Sequence, residues 1–325
     1  MPGQSGGQQM PVVLVLGARS ELGRRLLPKL ASSSYQTIAT SRSPQAPSTE
    51  QIRWLEGDPV SERPAFLDAL RKELDGRPLA GVINLLGSWM RGEPRKVLVE
   101  TSQWLADALQ PLAGDSASAV YVSGTAVYGD RPGERLSEAS PTAPKSKMGR
   151  WLVAGESVWT EAGFWSAKII RFPHLYGTAD DRVMGLMASG DFFVPGDGEN
   201  ITPHLHWEDA AEAVCRAFGA PAGIYHWSDG SRSTLRQWCD FITEHRGIEA
   251  LVSYSLDEAL EQGVARQLGP HMKDRDVVAE LDAVMTAHVD LDTSATAKAL
   301  ELELQYPDPF PVLDEILITP AEESA

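Results

Sequence analysis

The chain has 325 residues, enough for one large α/β domain or two unequal ones. Apolar residues make up 42% and charged residues 23%, the balance of a globular protein that buries a sizeable core. The formal charge of −16 argues against nucleic acid or an anionic membrane as a partner, since either demands a basic face.

Residues 1–10 are rich in Gly and Gln, without the basic and apolar regions of a signal peptide, and read as a disordered tail. No apolar run approaches the ~20 residues that span a bilayer. Cys215 and Cys239 stand apart from each other, outside any CxxC pair, which predicts reduced cysteines and no metal site. Together these features predict a cytoplasmic protein.

From residue 11 short β-rich runs alternate with helix-length amphipathic stretches. Val12–Leu16 is continuously apolar, as a strand buried on both faces must be. In residues 21–32, Leu22, Leu26, Leu27 and Leu30 share one helical face, with Pro28 predicting a kink or an early end. Further strands are predicted at 37–40, 52–55, 81–85, 119–123 and 167–171, with helices near 64–74, 98–110 and 147–162. Strands separated by helix-length segments imply βαβ units and a parallel sheet. Beyond residue 172 the rhythm loosens. Helices near 208–219 and 233–246 follow Gly/Pro-rich turns, and 257–325 read as a small helical cap.

The turn after the first strand is Gly17-Ala18-Arg19-Ser20-Glu21-Leu22-Gly23. A glycine that ends a buried strand lets the chain turn sharply. Another, one turn into the next helix, lets helix and sheet pack closely, and the helix N-terminus offers amides to a pyrophosphate. Ser20 stands where the GxxGxxG pattern has its middle glycine. Its hydroxyl narrows the approach but is itself able to donate to phosphate. The second strand ends Ser41-Arg42, where NAD-preferring sites place an acid. With Arg19 it is suited to clamping a 2′-phosphate, so NADP is expected rather than NAD. The candidate cofactor contacts are Gly17, Arg19, Ser20, Glu21, Leu22, Gly23, Ser41 and Arg42, with Leu85, Leu86 and Gly87 at the end of the fourth strand. The fold expected is a doubly wound parallel Rossmann sheet with a smaller C-terminal substrate-binding subdomain. Residues 11–172 and 201–228 are assigned to the dinucleotide-binding domain, and 173–200 and 229–325 to the substrate-binding cap.

Several motifs resemble those of the extended short-chain dehydrogenase/reductase family, the NAD(P)-dependent epimerases and dehydratases. They are Gly57-Asp58, Val122 to Gly129 (VSGTAVYG), Arg171 to Gly177 (RFPHLYG), Pro195 to Gly198, His206 to Asp209 and Leu291 to Ser294. The resemblance implies that Asp58 contacts the adenosine. It also implies a small-molecule substrate such as a sugar nucleotide or a carbonyl compound, and a homodimer. Family chemistry uses a Tyr and a Lys at i, i+4 on one helix, and a Ser or Thr after strand five. The aligned helix reads Lys147 to Glu156 (KMGRWLVAGE) and places Met148 at the Tyr, Leu152 at the Lys and Gly124 at the Ser. Positioned acid–base catalysis is worth ~10²–10⁴ in rate, so an active enzyme here needs replacements. The candidates are His174, at a position where the family often has Asn, with Thr125, Ser123 and Tyr128. Three functions follow: an epimerase-, dehydratase- or reductase-like enzyme of divergent mechanism, a non-catalytic NADP(H) sensor, or a redox-neutral isomerase or cyclase that reuses the cleft.

Overall fold

In this computed structural model the described residues are 10–43, 48–87, 93–178, 181–268 and 274–318. The expected N-terminal tail lies outside them as far as residue 9. In chain order the first elements are β1 (Val12–Leu16), α1 (Glu21–Ala31), β2 (Gln36–Ser41), β3 (Ile52–Glu56), α2 (Arg63–Leu74), β4 (Leu79–Asn84), α3 (Thr101–Leu109) and β5 (Ala113–Gly124). Next come β6 (Arg135–Leu136), α4 (Lys147–Glu161), β7 (Ser166–Phe172), β8 (His174–Tyr176), α5 (Arg182–Ser189), β9 (Val194–Pro195), β10 (His204–His206), α6 (Trp207–Phe218), β11 (Gly223–His226) and α7 (Leu235–Arg246). The chain closes with β12 (Ser253–Tyr254), α8 (Leu256–Glu261), α9 (Arg275–Met285), β13 (Asp290–Leu291), α10 (Ser294–Leu300) and α11 (Pro309–Ile318).

Seven strands form one sheet in the order β11-β7-β5-β4-β1-β2-β3. The β3–β2, β2–β1, β1–β4 and β4–β5 pairs are all parallel. The order reverses at β1, between β2 and β4, and that reversal is where doubly wound sheets bind nucleotides. The predicted α/β fold is the one observed.

Three local expectations change. First, α1 runs through Pro28 to Ala31. Pro28 sits in the last turn, and Ser32 donates to its carbonyl from both backbone and side chain, so the missing N–H costs the helix one bond and not its end. Second, the helix expected over 98–110 opens with a π turn at 96–100 before the α-helical part. Third, β5 starts at Ala113, six residues before the apolar run that marked it: Ala113 pairs with Leu79 and Ser118 with Gly81, with a register shift between them.

The chain divides into two compact units. One comprises 1–122, 155–169 and 214–223, and the other 123–154, 170–213 and 224–325. Residues 123–154, 170–172, 201–213 and 224–228 thus group differently from the sequence assignment. The reason lies in packing: Val127, Tyr128 and Leu136 form a buried cluster with Val289 and Leu291, more than 150 positions away in sequence. The first unit's core is built on Val12, Leu14, Leu16, Ile38, Val82 and Tyr121 with the inward faces of α2 and α3. The second unit has its own core around Tyr176, Trp238, Phe193 and Ile242. Among the described residues no helix is long and apolar enough to cross a membrane.

Candidate functional site

The nucleotide end lies in the first unit, and each glycine there is required by sterics. Gly17 has φ +76, and a Cβ on it would stand 3.0 Å from the Leu85 carbonyl oxygen. A Cβ on Gly23 would meet the Ala18 carbonyl oxygen at 2.4 Å. The first glycine makes the turn and the second lets α1 seat against it, as the sequence pattern implied. Ser20 is the N-cap: its Oγ accepts the Gly23 N–H at 3.1 Å, which leaves the hydroxyl proton available. Its φ of −63 asks for no glycine, so the departure from the family pattern leaves the backbone unstrained. Glu21 pairs with Arg24 and Arg25 along the helix, and Leu22 is buried beneath it.

The second candidate group gathers beside this turn. The Gly17 N–H donates to Thr40 Oγ1 at 3.2 Å, fastening the turn to β2. Arg19 Nη1 donates to Ser43 Oγ at 2.7 Å, which brings its guanidinium to the residue that follows Arg42. Buried Ser41 shapes that loop by donating to the Ser43 carbonyl and accepting the Ser43 N–H. Arg42 itself is exposed and makes no hydrogen bond or ion pair among the described residues. Asp58 is buried, and its carboxylate accepts from Val60 N and Ser61 Oγ, so it organises its own turn. Leu85 continues the β1–β4 pairing through the Leu16 carbonyl. Leu86 N–H donates to Asn84 Oδ1, and Gly87 is exposed with open space where a Cβ would be.

The catalytic candidates belong to the second unit. His174 opens β8, whose register sets His174 beside His204 and Tyr176 beside His206 on β10. Its Nε2 lies 2.9 Å from Asp181 Oδ2, with 39% of its side chain exposed, whereas Asp181 is 8% exposed. Asp181 is also the N-cap of α5, accepting from Val183 N and Met184 N. Burial alone would raise its carboxyl, but the hydrogen bond and charge of His174, with those two amides, hold it below the ordinary aspartate value. An ionised Asp181 accepts only, so it fixes the Nε2–H tautomer of His174 and leaves Nδ1 as the nitrogen able to take or give a proton. His174 is among the candidates named from sequence and Asp181 is not. The available signal was an aspartate placed as cap before the helical run that starts at Arg182.

Tyr128 is fully buried, and its hydroxyl lies 2.8 Å from His226 Nδ1. His226 Nε2 points at the Asp292 carbonyl at 2.8 Å, and burial pushes this imidazole below its ordinary pKa. A carbonyl cannot donate, so Nε2 carries the proton, Nδ1 accepts, and the Tyr128 hydroxyl is the donor. The Arg171 guanidinium sits over the Tyr128 ring at 5.0 Å. Ser123 is buried, while Thr125 is half-buried with a hydroxyl that makes no hydrogen bond among the described residues. The neighbouring histidines are packing groups: His204 stacks on Trp238 and His206 on Tyr306, both at 3.7 Å. Burial, with the charge of His174, drives His204 well below its ordinary pKa.

The positions that align with the family's reactive side chains hold Met148, Leu152 and Gly124, none of which carries a proton-exchanging group. Leu152 Cδ1 would lie 3.4 Å from a Cβ on Gly124, and Leu152 packs against the Val127–Tyr128–Leu136 cluster. Gly149, the glycine after the Tyr position, is held by the Ala126 carbonyl, 2.5 Å from where its Cβ would be. The helix therefore keeps its close seating while Met148 and Leu152 offer no proton.

A parallel sheet that reverses at β1, with a glycine turn leading into a capped helix there, defines a dinucleotide-binding α/β protein. Residues 13–226 match the model of the NAD dependent epimerase/dehydratase family, and the chain belongs to that family. It is 26% identical over 262 residues to the spore coat polysaccharide biosynthesis protein SpsK of Bacillus subtilis strain 168, covering 77% of this chain and 84% of that protein. Two solved structures share the fold. MoeE5 in complex with UDP-glucose and NAD is 19% identical with a TM-score of 0.69, covering 94% of this chain and 97% of that one. The human epimerase family protein SDR39U1, isoform 2, with NADPH is 18% identical with a TM-score of 0.66, covering 94% and 98%.

Proposed function

We propose that the chain binds NADP(H) at the Gly17–Gly23 turn and acts on a small sugar-nucleotide or carbonyl substrate, with His174 and Asp181 moving the proton that the family gives to its tyrosine. The observation that carries this reading is the His174–Asp181 pair: an exposed imidazole on a buried, ionised carboxylate, in a chain whose Tyr and Lys positions hold Met148 and Leu152.

The glycines at 17 and 23 fit a dinucleotide, because a Cβ at either would collide with the backbone that forms the cradle. Amides at the start of α1 and the Ser20 hydroxyl hold the pyrophosphate, Arg19 and Arg42 hold the 2′-phosphate, and Leu85, Leu86 and Gly87 border the cofactor. When bound, the cofactor supplies a hydride donor or acceptor. His174 Nδ1 takes the proton of a substrate hydroxyl as it becomes a carbonyl and returns it in the reverse direction. Asp181 stabilises the imidazolium formed in between. Thr125 offers a hydroxyl to the substrate oxygen, while Ser123 and Tyr128 brace the loop that carries it. The sugar-nucleotide class is supported by SpsK and by the UDP-glucose in MoeE5.

The apolar pair Met148 and Leu152 at the family's Tyr and Lys positions favours a second reading, a dinucleotide-binding sensor without turnover. Titration with NADPH and NADH, followed by turnover assays on UDP- and dTDP-sugars, separates the two. Selective NADPH binding with turnover abolished by His174→Ala supports the enzyme. Selective binding without turnover on any substrate supports the sensor, and no binding of either nucleotide sinks both.

A further inference from the structure

The first unit carries a cavity of about 590 Å³ at the N-terminal end of its strands, where β1, β4, β5 and β7 begin. The Gly17 turn stands at the other end of β1. The size is that of a small-molecule site. Tyr35 and Phe218, edge-to-face at 5.2 Å, give it an apolar wall together with Pro11 and Pro78. Ser116, Ser118 and Ser166 give it hydroxyls, and Lys168 and Arg77 give it charge. No acidic side chain among the described residues lines it, in a chain with 45 acidic residues against 29 basic ones.

Lys168 decides what such a cavity can hold. It is 3% exposed and its ammonium donates to Ser118 Oγ at 2.6 Å, while Ser118 in turn donates to the Phe218 carbonyl at 2.8 Å. That is its one hydrogen bond among the described residues, and it has no carboxylate partner among them. Phe218 ends α6, so the C-terminal dipole of that helix offsets about half a charge. Two N–H groups and the remaining charge have no counterpart. A cation removed from water is normally paired.

We propose that this cavity is a second ligand site that takes a small organic anion, a phosphate or carboxylate on an apolar body, with the Lys168 ammonium as its anchor. The anion completes the hydrogen bonding of Lys168, Arg77 adds long-range attraction, and the Tyr35–Phe218 wall covers the apolar part.

The test is titration of phenyl phosphate and of benzoate into the wild-type protein, Lys168→Met and Arg42→Asp, followed by calorimetry. Saturable binding of either probe is expected, weakened about tenfold or more by Lys168→Met and unchanged by Arg42→Asp. The probe that binds identifies the anion class. Absence of saturable binding to the wild type overturns the proposal. So does a loss that follows Arg42 instead of Lys168, which assigns the anion to the nucleotide end. Burial lowers the Lys168 amine from its ordinary pKa, so it is open to acylation. If Lys168→Met does not fold, acetic anhydride labelling of the wild type replaces it. A bound probe must then shield Lys168 in the peptide map, and equal labelling with and without probe rejects the site.

Discussion

At the Gly17–Gly23 turn, two glycines stand where a side chain would press on backbone, and polar groups surround them, with Ser20 capping the helix. On α4 the glycine that seats the helix is just as tightly held: a Cβ on Gly149 would approach the Ala126 carbonyl oxygen to 2.5 Å. Yet the two positions that align with the family's Tyr and Lys there hold Met148 and Leu152. One region therefore keeps packing and polar groups together, and the other keeps packing alone. The contrast teaches that a helix can hold its place in a fold through one glycine while its reactive side chains are exchanged for apolar ones. Under the proposed function the proton chemistry comes from elsewhere in the same unit, from the His174–Asp181 pair.

The strongest way to break this comparison is His174→Ala. Turnover should fall about 10²–10⁴-fold while NADPH affinity stays level, measured by steady-state kinetics beside a binding titration. A parallel loss of affinity would tie the histidine to the nucleotide end and erase the distinction. Next, Gly23→Ala should cost about 3 kcal/mol in urea unfolding, because the Ala18 carbonyl at 2.4 Å cannot yield cheaply, and NADPH binding should go with it.

A third measurement probes the unit that lost the dyad. Burial, with the charges of Asp308 and Asp209, pushes Asp229 up to about 6, although its Ser231 hydrogen bonds act the other way. An unfolded aspartate titrates near ~3.9. The fold thus favours the neutral acid, and that stability is complete below about pH 4 and is lost as pH rises through about 6. Asp229→Asn should be more stable than wild type by about 2 kcal/mol above pH 6, merging with it below about pH 4, in denaturation at several pH values. Then Arg42→Asp should weaken NADPH about tenfold and leave NADH nearly unchanged, because only the former brings a 2′-phosphate to Arg19 and Arg42. Equal loss for both nucleotides would remove the clamp. The smallest effect sharpens the glycine argument: Gly185, inside α5 with nothing within 4 Å of a built Cβ, should gain about 0.5–1 kcal/mol on change to Ala.

The sheet was legible from sequence because parallel strands buried on both faces announce themselves as apolar runs, as in Val12–Leu16. The nucleotide turn was legible because its glycines answer a local steric demand. The first half of β5 was hidden, since Ala113 to Ser118 reads as a loop and meets β4 only at its two ends, Ala113 with Leu79 and Ser118 with Gly81, across a register shift. The His174–Asp181 pair was half visible. Its histidine fell in a recognisable segment, while the aspartate seven residues on acts as cap and partner at once. The Tyr128–His226 bond joins residues 98 positions apart, which no local pattern encodes. Lys168 falls within the strand predicted at 167–171, and nothing in its neighbourhood in sequence signals a cavity.

The pairing of β6 with β13, Arg135 beside Asp290 and Leu136 beside Leu291, joins segments that are made far apart in time. A ribosome releases residues 123–154 long before 287–292, so Val127, Tyr128 and Leu136 emerge without the segment that covers them. Until residue 226 is made, the hydroxyl of Tyr128 lacks its His226 imidazole, and the apolar cluster waits longer for Val289 and Leu291. The second unit thus reaches its final form as an event of late synthesis, after the first 122 residues and most of their core are already available to fold.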